Sequence, residues 1–99
     1  MRIRIVPAAQ EQIREAVRWW RENRPAAPNA ISQELRRAFR LLRAQSAIGA
    51  RARNVGLESV RRILLARVPR HLYYRVNQDL DQIDVLAFWN ARSGSKPLP

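Results

Sequence analysis

At 99 residues the chain has room for one domain with a single two-layer core. It has no cysteine, which excludes disulfide frameworks, thiolate nucleophiles and cysteine-based zinc sites and suits a reducing, cytoplasmic setting. Lys plus Arg is 19 against 8 Asp plus Glu, a net charge of +11 that calls for an acidic partner, whether protein or nucleic acid.

The first element is a short strand. Arg2 and Arg4 alternate with Ile3 and Ile5 up to Val6, so one face is apolar. This apolar run is too short for a secretory leader, and nowhere does the chain approach the roughly 18 apolar residues of a membrane span. Pro7 suits the first turn of a helix, where its missing N–H costs nothing. Ile13, Ala16, Val17 and Trp20 then recur at helical spacing, which predicts a helix over Ala8–Arg24 with Glu11 near its start and Arg21 and Arg24 near its end. Residues 25–29, with two prolines, break the pattern. A second helix is expected over Ala30–Gln45, with Ile31, Leu35, Ala38, Phe39 and Leu42 as its stripe and Arg36, Arg37, Arg40 and Arg43 on its outside. So short a link implies an antiparallel helical hairpin.

Residues 46–57, with Gly49 and Gly56, read as a loop. Three strands are expected next: Glu58–Val68, His71–Val76 and Gln82–Trp89, joined by Pro69-Arg70 and by residues 77–81. Links this short permit only antiparallel neighbours. Residues 91–99 read as a loose tail. The expected fold is α+β in two layers, β-α-α-β-β-β, one domain over residues 1–99, with the hairpin on one face of a mainly antiparallel sheet.

Three segments carry a family resemblance. They are Val60-Arg61-Arg62-Ile63-Leu64-Leu65, then Arg70-His71-Leu72-Tyr73-Tyr74-Arg75-Val76, then Ile83-Asp84-Val85-Leu86-Ala87-Phe88-Trp89-Asn90-Ala91-Arg92. Their order and spacing, with the paired Trp19-Trp20, resemble the ParE/RelE toxin superfamily and, within it, the ParE type. The resemblance implies a cytoplasmic toxin of a type II toxin–antitoxin system, active in plasmid or locus maintenance. It implies a ParD-like antitoxin with an acidic, wrapping tail, in a hetero-oligomer, and DNA gyrase as the target. RelE-type relatives instead cut messenger RNA on the ribosome, which is the alternative reading. A plain nucleic-acid-binding module is a third, for which no recognition-helix motif appears.

Within that frame the residues sort by chemistry. A ribonuclease would lean on Arg62, Arg75 and Arg92 to hold phosphate. At the end of the last strand, however, Asn90 cannot act as acid or base at neutral pH. Binding rather than catalysis is therefore expected, with no cofactor. Strand parity puts Leu72, Tyr74 and Val76 on one face and His71, Tyr73 and Arg75 on the other, where they should meet solvent. Tyr73, Arg75, Trp89, Asn90 and Arg92 are the expected target surface. Trp19, Arg61, Arg67 and Arg70 are the expected antitoxin surface. Trp19 lies beside the core stripe, either as a partner anchor or as a shield over the inter-helix link. His71, the only histidine, has no serine or threonine tied to it by motif, so a hydrolytic triad is not expected. Glu11 should pair with Arg14, and Glu15 with Arg18, along the first helix. Asp79, Asp81 and Asp84 cluster, but the first two sit in a turn, so no metal site is expected. Leu35 and Leu64 are expected in the core.

Overall fold

The computed structural model describes residues 1–52 and 59–90. Along the chain run β1 (Arg2–Ile5), α1 (Pro7–Asn23), α2 (Ala30–Ala44), β2 (Ala50–Arg51), β3 (Arg61–Leu64), β4 (Arg70–Asn77) and β5 (Gln82–Asn90). The sheet order is β1-β5-β4-β3-β2. β1 lies parallel to β5, and the other neighbours are antiparallel. The two-layer α+β architecture is the one expected.

Both helices form where the 3.6-residue apolar spacing places them. Pro7 opens α1, which buries Ala9 and Ala16 and half-buries Ile13, Val17 and Trp20. α2 buries Ala30, Ile31, Leu35, Ala38 and Leu42. The link between them is pinned by the indole Nε1 of Trp20, which donates to the Ala27 carbonyl at 2.7 Å. Trp20, not Trp19, therefore secures the link. Glu11 pairs with Arg14 at 2.8 Å as expected. The β4–β5 turn uses Asp81 at φ 49°, a left-handed conformation that aspartate tolerates, and Asn77 Oδ1 accepts from the Leu80 amide at 3.2 Å.

The strand before the first turn is shorter than expected. Ser59 has φ 62°, which interrupts an extended run, and beyond Leu64 the chain bends so that Leu65 and Val68 plug the core. β2 was not anticipated; part of the predicted loop pairs through Ala50↔Arg62 and Arg51↔Arg61. A buried contact holds it there. The Gly49 amide donates to Tyr74 Oη at 2.9 Å, and Arg61 Nη1 donates to the Gly49 carbonyl at 2.8 Å. A Cβ on Gly49 would stand 2.7 Å from that phenol oxygen, so no larger residue fits without displacement. Burial pushes the Tyr74 phenol above its ordinary value of 10.0, partly offset by the Gly49 amide and by Arg61.

The main core lies between the helices and the sheet face carrying Leu72, Tyr74, Ile83, Val85 and Phe88. The opposite face is also partly covered. Ala52, Val60, Tyr73, Leu86 and Ala87 form a second cluster, with Val6 and Trp89 against it. A bulge makes it possible: Tyr73 pairs with Ala87 but Tyr74 with Val85, leaving Leu86 as the extra residue in β5. Two expectations fail here. Tyr73 is 1% exposed, not solvent-facing, because Leu86 and Ala87 pack with it on that face. Leu64 is 60% exposed, not in the core, because its register partner is His71 on the outer face.

Candidate functional site

One end of the sheet brings together residues far apart in sequence. Arg70 opens β4 and pairs in register with Asn90, the last residue of β5; His71 pairs with Trp89. α1 passes beside this end. A cavity of about 260 Å³ is lined by Gln12, Glu15, Ala16, Trp19, Arg70, Phe88 and Trp89. A neighbouring one of the same volume is lined by Trp19, Trp20, Pro69, Arg70 and Asn90. Trp19 and Arg70, expected on the antitoxin surface, thus meet Trp89 and Asn90, expected on the target surface.

The chemistry of this end is that of recognition. Trp19 is 48% exposed, with the Arg24 guanidinium 5.8 Å from its ring centroid. The Arg70 guanidinium lies 5.9 Å from the Phe88 ring, and burial lowers its pKa below the ordinary guanidinium range. The Trp89 Nε1 is buried with no hydrogen-bond partner among the described residues. A buried donor left so costs about 1–3 kcal/mol. The edge of β5 is closed here by a side chain: Gln12 Oε1 accepts from the Phe88 amide at 2.7 Å, taking the place of a neighbouring strand. Gln12 was not legible in the sequence, since nothing in helical periodicity marks a half-buried glutamine as a strand cap.

The outer sheet face carries the other predicted residues. Arg75 stands opposite Asp84, and Arg62 opposite Tyr73. Asp84 is buried; it accepts from Gln82 Nε2 at 2.6 Å and lies 3.8 Å from Arg4 Nη1. It is therefore a charge partner on this face and not a member of a turn cluster. No group of three or more His, Cys, Asp or Glu able to hold a metal occurs among the described residues. His71 sits edge-on to Tyr73 at 6.0 Å. Burial, and after it the charge of Arg62, lowers its pKa from 6.5.

The remaining predicted antitoxin residues do not join the strand end. Arg61 turns inward to Gly49. Arg67 reaches α2, where its Nη2 donates to Gln33 Oε1 at 3.0 Å and its Nε lies 3.8 Å from Glu34 Oε1. Arg92 and the expected loose tail lie outside the described residues, as do residues 53–58.

The family model described as "ParE toxin of type II toxin-antitoxin system, parDE" matches residues 3–93. A solved structure described as a chromosomal ParDE toxin–antitoxin system from P. aeruginosa is similar to this chain with a TM-score of 0.73 at 18% identity, covering 93% of this chain and 97% of that one. That likeness concerns the fold. No curated protein matches the chain. No helix among the described residues is long and apolar enough to cross a membrane. With the family pattern spanning nearly its whole length, the chain belongs to the ParE toxin family of type II toxin–antitoxin systems.

Proposed function

We propose that this toxin acts by occupying a protein target rather than by a catalytic centre of its own, that the target is DNA gyrase, and that a ParD-like antitoxin with an acidic segment neutralises it. The observation that carries the binding reading is the strand end. There Trp19, Arg70 and Trp89, the residue types that concentrate interface energy, line adjoining cavities, and a buried indole N–H awaits an acceptor. Asn90 belongs to the same proposed target surface, Arg75 adds charge on the outer face, and Arg92 is proposed with them from the sequence alone. The gyrase assignment rests on membership of the ParE family. Cytoplasmic action follows from the same reading.

The test is induction of the chain in cells. Arrested replication with intact messenger RNA, together with loss of supercoiling by purified gyrase, is the expected result. One observation favours a second reading, a RelE-type ribonuclease. His71, kept toward its neutral form by burial and Arg62, shares the outer face with Arg62 and Arg75, as a base beside phosphate-binding groups would. Transcript ends phased with codons soon after induction, and lost with His71→Gln or Arg62→Ala, would establish that reading instead.

A further inference from the structure

A second feature lies across the bend at residues 66–69. A groove of about 240 Å³ runs between α2 and β3, lined by Glu34, Arg37, Ala38 and Leu41 on the helix side and by residues 63–66 on the strand side. Its helix wall ends in Leu41, a large apolar residue 39% exposed.

Two polar features in it are incomplete. The first is the edge of β3. Pairing with β2 stops at Ala50↔Arg62, and among the described residues no strand lies beside Ile63 and Leu64 on that side. The Leu65 amide donates to the Arg70 carbonyl at 3.0 Å, towards β4. By the alternation of a strand, the N–H and C=O of Leu64 therefore point the other way, out over the groove. The second feature is Glu34, 3% exposed. Its Oε1 receives no hydrogen bond among the described residues; Arg67 Nε stands at 3.8 Å from it and Arg37 Nη1 at 3.6 Å from Oε2. A buried carboxylate oxygen so placed lacks a donor at hydrogen-bond distance.

Together these define an occupant. We infer that the groove receives an extended segment of the antitoxin, which continues the sheet past β2 by pairing with Leu64 and gives Glu34 Oε1 the hydrogen-bond donor it lacks. The inference rests on the toxin–antitoxin reading above. An added strand would lie under α2, with alternate apolar side chains against Ala38, Leu41 and Ile63. Arg37 and Arg67, now held at long distance by one shared carboxylate, supply the positive rim that an acidic segment would meet. A second copy of this chain is disfavoured as occupant by its charge of +11.

The experiment uses the full chain and the product of the reading frame beside its gene. Amide exchange is followed with and without that product, and affinities are measured for wild type, Leu64→Pro, Leu41→Asp and Glu34→Leu. Leu64→Pro removes the outward N–H and no hydrogen bond to β4, and Leu41→Asp alters an exposed wall without touching the core. Expected are strong protection of the Leu64 amide in the wild-type complex and at least about a tenfold weaker affinity for each variant. Protection that bypasses Leu64, with Leu41→Asp binding as wild type does, overturns the groove while leaving the toxin–antitoxin reading intact. A product that neither binds nor neutralises the wild type overturns both. Should Leu64→Pro prove unfolded by its melting curve, wild-type protection and Leu41→Asp decide the matter.

Discussion

The two regions on either side of the bend at residues 66–69 are incomplete in opposite senses. Among the described residues, the buried group without a hydrogen-bond partner at the end of β4 and β5 is a donor, the indole N–H of Trp89; under α2 it is an acceptor, Oε1 of Glu34. The first region is aromatic and sits where two strands and α1 converge; the second is aliphatic and runs along a strand edge. On the proposed function, the contrast gives a small basic domain a way to hold two protein partners apart. Net charge attracts any acidic surface, but the unmet hydrogen-bonding groups ask for different partners: a protruding acceptor at the strand end, an extended main chain in the groove.

The largest expected effect would separate the two regions. The double variant Trp19→Ala/Arg70→Gln should lower killing by about a hundredfold, as loss of two interface anchors does, while its affinity for the antitoxin segment in the groove changes little. Survival curves and a binding titration read both numbers. Equal losses in killing and antitoxin affinity would mean that the two regions are one surface.

Next come two leucines with opposite surroundings. Leu35→Ala, in the buried stripe of α2, should cost about 2–5 kcal/mol in denaturant unfolding. Leu64→Ala, at an exposed edge, should stay within about 0.5 kcal/mol. Comparable losses would show that the edge of β3 is covered in the free toxin.

Trp89→Phe removes the orphan donor and keeps most of the packing. Killing should fall about tenfold, the worth of one hydrogen bond of about 1.4 kcal/mol, with stability unchanged or slightly higher. Loss of stability in parallel with killing would make Trp89 a core residue only.

The smallest effect is on pH dependence. The folded imidazole of His71 holds its proton less firmly than the unfolded one, so the unfolded chain binds more protons just below pH 6.5. Its contribution to stability is therefore present above that pH and is lost as pH falls below it. In thermal melts across pH 5–7.5 the wild type should lose stability relative to His71→Gln as pH falls toward 5, and a pH-independent difference between the two would exclude His71 as the cause.

Much of this was legible along the chain. Alternation from Arg2 to Ile5, the apolar stripes of both helices and the aspartate-rich turn are local signals, and each appears where spacing places it. The outer face was not legible, because a one-residue bulge at Leu86 shifts β5 out of strict alternation and builds a cluster over Tyr73. Parity placed Tyr73 on the correct face but could not show that the face is covered. The gathering of Trp19, Arg70, Trp89 and Asn90 was partial: each was singled out by type, but only the β4–β5 register and the path of α1 bring them together. Glu34 left a faint trace, a carboxylate in phase with Ile31 and Ala38, but a stripe defined by apolar residues alone does not include it.

In the proposed function the strand end is the surface that meets gyrase. The most direct measurement is inhibition of DNA supercoiling by purified gyrase, titrated with wild-type toxin and with Trp19→Ala/Arg70→Gln at matched melting temperature. Inhibition by the wild type, with the double variant needing about a hundredfold more protein, is the predicted result. Equal inhibition by the two proteins, or none by either, would contradict it.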